Sequence, residues 1–123
     1  MKIKVENLTK IYSSLLKLFN QDIDVTLAFQ YMDSVKVIKE KFNTFTQLQK
    51  RIAGKYGKPY KEDGRVMYST TPENKLLYEA EIEPLLQEEF EVNWNPIPLS
   101  KLDGILIGME DAINLKDFID KTK

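Results

Sequence analysis

Six cations and three phenols crowd the stretch from Lys50 to Tyr68, where Lys50, Arg51, Lys55, Lys58, Lys61 and Arg65 are interleaved with Tyr56, Tyr60 and Tyr68. Ammonium and guanidinium groups hold phosphates and tyrosine rings stack on bases, so a nucleotide or a single strand is a physically sensible ligand for this region. The candidate ligand-binding residues are Lys50, Arg51, Lys55, Tyr56, Lys58, Tyr60, Arg65 and Tyr68. Gly54, Gly57 and Gly64 lie among them, but their spacing matches neither a Walker loop nor a Rossmann turn, and the strand-to-helix context those loops need is missing. The competing reading is a solvated helix C-terminus, where Lys and Arg complement the dipole, followed by a polar hairpin.

Two further groups invite chemistry. Glu73, Glu79, Glu81, Glu83, Glu88, Glu89 and Glu91 face a single cation, Lys75, in the same stretch. Such a cluster could bind a cation or imitate the charge of nucleic acid. More often such a cluster is a solvated face, here opposite Lys36, Lys39, Lys41 and Lys50, and no carboxylate spacing matches an EF-hand loop. Trp94, the only tryptophan, could line a pocket with Tyr60 and Tyr68, or sit in the core with its indole N–H satisfied at the edge.

The missing residue types restrict the chemistry further. The 123 residues include no Cys and no His. Disulfides, thiolate nucleophiles and cysteine zinc sites are thereby excluded, and so are the usual general base and the commonest metal ligand. We expect a protein that is not an enzyme and carries no cofactor or metal. With 18 basic and 19 acidic residues and a formal net charge of −1, no global field draws the chain onto membranes or nucleic acid, and sequence-specific nucleic-acid binding is not expected. The N-terminus lacks the pattern of a secretory signal, and no apolar run reaches the ~20 residues of a bilayer span.

These groups must be positioned by elements, and one element dominates. Ala28, Tyr31, Val35, Ile38, Phe42, Phe45, Leu48, Ile52 and Tyr56 recur in steps of three and four, a seam of about four heptads on one long helix. Asp22 or Asp24 starts that helix, and Gly57 in a left-handed conformation with Pro59 ends it, so residues 24–56 would span about 50 Å. A first helix of about a dozen residues, capped by Asn7 and carrying Leu8, Ile11, Leu15, Leu18 and Phe19, lies antiparallel to it across the short connection Asn20 to Ile23. The first helix is too short to cover the seam. Its uncovered turns must therefore meet the third helix, another subunit, or both, and Tyr31, Val35, Ile38, Phe42, Phe45, Leu48 and Ile52 form a candidate oligomer seam.

From Lys58 to Thr70 the chain reads as a loop or a small hairpin, with Asp63-Gly64 at the turn and Arg65 to Tyr68 able to form the return strand. Thr71-Pro72-Glu73 opens a third helix whose buried side is read as Leu76, Leu77, Ala80, Leu85 and Leu86, with a kink or restart at Glu83 imposed by Pro84. Met1 to Val5 and Phe90 to Trp94 alternate as short strands. Ser100 could cap one turn, Ile105 to Ile107 could pair with the N-terminal strand, and a last helix is expected from about Met109 to Ile119. The expected fold is a single domain over residues 1–123. It is mainly α with a small β element (α+β): a long antiparallel helical hairpin, a third kinked helix, and short strands from the N-terminus and the C-terminal third.

Three segments together resemble a small, uncharacterised group of bacteriophage proteins, chiefly from phages of Gram-positive hosts. They are Met1-Lys-Ile-Lys-Val-Glu-Asn; Lys55-Tyr-Gly before the Asp63-Gly64 turn; and Leu85-Leu-Gln-Glu-Glu-Phe-Glu-Val through Pro96-Ile-Pro-Leu-Ser to Leu102-Asp-Gly-Ile. The resemblance implies an accessory protein in the host cytoplasm or the virion that acts by stoichiometric binding. It would inhibit or sequester a host component, such as a defence protein or a nucleotide immune signal. The alternative is a virion structural or assembly component that self-associates through the long helix.

Overall fold

The computed structural model describes residues 1–123 as a mainly helical protein with three small two-stranded sheets. Strand β1 (Lys2–Lys4) leads through a 3-10 turn at Val5–Asn7 into α1 (Leu8–Phe19). Helix α2 (Val25–Tyr56) runs unbroken for 32 residues, and the Asp24 carboxylate caps it by accepting the Thr26 N–H at 2.7 Å. Phe19 lies against Tyr31 and Tyr12 against Phe42, so successive residues of α1 meet α2 in reverse order and the helices are antiparallel. Asn7 does not cap α1: its own backbone is already helical and its side chain accepts no hydrogen bond from the first turn.

Of the loop and the hairpin that the sequence allowed, the hairpin forms: β2 (Lys58–Glu62) pairs with β3 (Arg65–Ser69), with Asp63 and Gly64 both at positive φ in the turn. Gly57 corrects one expectation. Its backbone is extended (φ −140°, ψ 163°), and a Cβ there would sit 2.9 Å from the Ser69 carbonyl oxygen. Close approach of two backbones, rather than a left-handed cap, explains this glycine.

Helix α3 (Pro72–Leu86) starts at Thr71, whose hydroxyl accepts the Asn74 N–H at 3.2 Å, and runs back along α2. It passes through Pro84 without a restart at Glu83 and ends two residues later. The proline thus falls in the last turn, where little helix remains to disrupt. The expected apolar face of α3 is also rotated. Ile82 is its buried residue, whereas Leu76 and Leu77 are exposed and Leu85 and Leu86 half-buried. The glutamates do not pair with Lys36, Lys39, Lys41 or Lys50; Lys41 instead lies over the Phe90 ring, 5.7 Å from its centroid.

Strand β4 (Glu89–Glu91) pairs antiparallel with β1, so β1 takes this partner and not Ile105 to Ile107. That later segment is irregular. The Gln21 side-chain amide bonds both the N–H and the C=O of Leu106, standing in for a paired strand. Strand β5 (Ile97–Pro98) precedes a 3-10 turn at Leu99–Leu102, in which Ser100 caps nothing. Helix α4 (Met109–Asn114) is shorter than expected because the chain turns extended to form β6 (Ile119–Asp120), parallel to β5. The Phe118 carbonyl anchors this return, accepting from Ile97 N–H at 2.9 Å and from the Trp94 indole at 3.0 Å.

Eighteen buried apolar residues form one cluster drawn from α1, α2, α3, both chain ends and the segment around Trp94. Trp94 is core, packed edge-on against Phe118 and tilted against Tyr31. Of the seam, Tyr31, Ile38 and Phe45 are buried, while Val35, Phe42, Leu48 and Ile52 are half-buried. Helices α1 and α3 thus cover within one chain much of what the sequence left open. No helix is long and apolar enough to cross a membrane.

Candidate functional site

The end of α2, the hairpin and the start of α3 enclose a mostly apolar cleft of about 260 Å³. Tyr56 reaches it from the last turn of α2, Tyr68 from β3 and Tyr78 from the second turn of α3, with Ala53, Gly57 and Thr70 between them and Lys75 and Glu79 also on its wall. Its size suits a single ring system rather than a whole drug-sized ligand. A second, more polar groove adjoins it. Tyr56, Gly57 and Thr70 line both, and Lys55, Lys58, Ser69, Thr71 and Asn74 complete the second, which has a volume of about 390 Å³.

One ion pair ties the helices together beside the site. Lys55 Nζ donates to Glu81 Oε1 at 2.6 Å. That hydrogen bond, more than the accompanying charge attraction, raises the Lys55 ammonium above its ordinary range. It lowers the Glu81 carboxyl in turn, against the opposing effect of burial, with a smaller contribution of the same sign from the Tyr56 phenol. Glu81 Oε2 is shielded from water without a hydrogen bond of its own, so removing Lys55 would leave a half-buried carboxylate without its charge partner.

The sequence candidates divide into three groups. Tyr56 and Tyr68 meet in the cleft, and Lys55 and Lys58 lie on the adjoining groove. Tyr60 and Arg65 project from the hairpin, Tyr60 opposite Met67 and Arg65 next to the turn, and neither lines the cleft. Lys50 and Arg51 are exposed on α2 and make no ion pair. Trp94, buried in the core, makes no common pocket with Tyr60 and Tyr68.

Sequence reasoning missed Lys75, Tyr78 and Glu79. Their i, i+3, i+4 spacing after the Thr71-Pro72 start was the available signal, but placing Leu76 and Leu77 on the buried side turned that face away. No group of three or more acidic side chains gathers as a metal site. No family model, curated protein or solved structure matches the chain, so the geometry of the tyrosine cleft and its cationic neighbour carries the functional reading.

Proposed function

We propose that this protein acts by stoichiometric, non-catalytic binding of a small planar anion, with a nucleotide as the ligand class, and thereby withholds that ligand from a host component. The observation that carries the reading is the convergence of Tyr56, Tyr68 and Tyr78 from three different elements on one ring-sized cleft. A base stacks on such phenol faces, and stacking contributes about 1–3 kcal/mol per base. Phosphates of the same ligand would lie in the adjoining groove, near the Lys58 ammonium and the Thr71 hydroxyl, because the Ser69 and Thr70 hydroxyls already donate to the Lys58 and Tyr56 carbonyls. The resemblance to phage proteins supplies the setting, an infected cell in which a nucleotide immune signal is worth sequestering.

Thermal melting across a panel of mono-, di- and cyclic nucleotides tests the proposal. A bound nucleotide present at a hundred times its Kd stabilises the fold by about 2.7 kcal/mol, which a melting curve resolves readily. Tyr68→Ala and Tyr78→Ala should each abolish the shift while leaving the buried cluster intact. Unchanged melting with every nucleotide, together with no nucleobase absorbance in the purified protein, overturns the proposal. Capture of a host protein from infected cells under those conditions would move the reading to direct inhibition of a defence protein.

A further inference from the structure

The hairpin has one blunted edge and one open edge. The two-residue turn at Asp63-Gly64 makes Glu62 and Arg65 a hydrogen-bonded pair, and alternation along the ladder makes Tyr60–Met67 and Lys58–Ser69 the others. The backbone groups of Pro59 and Lys61 therefore point outward from β2, and those of Val66 and Tyr68 outward from β3. Pro59 has no N–H to offer, and Lys58 and Lys61 add charge, which is how natural sheets protect an edge. Strand β3 has no proline, and its one charge, Arg65, sits at the turn end outside the Val66–Tyr68 stretch. Its sequence is Arg-Val-Met-Tyr-Ser, Val66 is 54% and Met67 44% exposed, and no turn, loop or cap hydrogen bond uses the outward groups of Val66 or Tyr68.

We propose that β3 pairs antiparallel with β3 of a second copy of this chain about a two-fold axis through Met67. This register sets Val66 opposite the partner's Tyr68 and, by symmetry, Tyr68 opposite the partner's Val66, each pair exchanging both N–H···O bonds. The outward groups sit at 66 and 68, so the spacing is self-complementary. Side chains agree with it: a β-branched residue faces an aromatic one, Met67 faces its own copy, and Arg65 faces the partner's Ser69 rather than a like charge. The outcome is a four-stranded sheet in place of a two-stranded ribbon that is marginal by itself. Self-association of this kind uses the hairpin and requires nothing of the long seam, which α1 and α3 cover in part within each chain.

Sedimentation equilibrium over a concentration series tests the pairing. The wild type should approach twice the 14.4 kDa chain mass as concentration rises. Val66→Pro removes an outward N–H without costing the hairpin a bond and should return the protein to 14.4 kDa at all concentrations. Lys61→Pro makes the same change on the opposite edge and should leave the dimer intact. Val66→Lys, which keeps the N–H and adds edge charge, should weaken association at least about tenfold and reads the edge even where a proline variant melts early. A wild type that stays monomeric at its highest concentration overturns the proposal, as does a dimer that survives both Val66 substitutions.

Discussion

Ser14 and Asp111, both nearly excluded from water, join two elements far apart in the chain. The Ser14 hydroxyl donates to Asp111 Oδ1 at 2.8 Å, Asn114 Nδ2 donates to Ser14 Oγ at 3.1 Å, and Lys17 Nζ lies 3.4 Å from the same carboxylate oxygen. The Ser14 bond is the largest of the influences that lower the Asp111 pKa, ahead of Lys17 and the Gly108 backbone, while burial opposes them. A carboxyl whose pKa is depressed on folding contributes stability that is complete above its unfolded value and is lost as pH falls through the folded one. Glu81 and Asp120, lowered mainly by Lys55 and Thr122 respectively, add to the same acid limb. Denaturant melts should therefore be flat from neutrality down to about pH 5 and decline below about pH 4. Asp111→Asn should be less stable at pH 7 and show a shallower acid decline. Ser14→Ala leaves the carboxylate without its hydroxyl donor and should cost about 1–3 kcal/mol at pH 7, read from the urea midpoint.

Two glycines near the end of α2 separate the causes that shape an element. Gly54 lies inside the helix with open space where a Cβ would go, so Gly54→Ala should stabilise by about 0.8–1 kcal/mol through helix propensity alone. Gly57→Ala would press a methyl against the Ser69 carbonyl oxygen and lie 3.1 Å from Tyr68 Cβ, so it should destabilise and displace the hairpin from the cleft. Opposite shifts in the thermal midpoint, with nucleotide binding lost only in Gly57→Ala, are the expected result. The same elements show what the sequence discloses. The helical seam, the Asp24 and Thr71 caps and the Asp63-Gly64 turn are local signals, and each survives in the fold. What local pattern cannot reach is the choice among partners. The apolar residues of α3 run nearly all round the helix, so packing against α2 rather than periodicity selects Ile82 and Tyr78 over Leu76 and Leu77. The tail from Leu115 to Asp120 leaves its helical pattern because Trp94 and Ile97 claim the Phe118 carbonyl. Tyr56 and Tyr68 are legible in the sequence as candidates, and both line the cleft, but Tyr78 joins them only through the way α3 packs on α2.

At the scale of the whole molecule, burial is divided unevenly along α2. Its first two-thirds carry Leu27, Tyr31, Ile38 and Phe45 into the buried cluster, but no residue between Phe45 and Ile82 is fully buried. The cleft, the hairpin and the start of α3 are therefore held by half-buried tyrosines, the Lys55–Glu81 pair and a short ladder, while the body rests on the apolar cluster. Regions with few buried apolar contacts open at a lower free energy than the core, and binding loops are drawn from that end. Native-state hydrogen exchange should show amides of β2, β3 and the first turns of α3 exchanging well before those of α1 and the Leu27–Phe45 part of α2. Ile38→Ala, which empties a fully buried position, should cost about 2–5 kcal/mol and accelerate exchange in the core. Tyr78→Ala should accelerate it only in the distal part. A nucleotide seated among the three tyrosines would slow exchange in that part first, because the free energy of binding there adds to the least stable contacts. Protection that rises uniformly over the whole chain would instead mean that the distal part and the body open together, and the separation of site from core would be wrong.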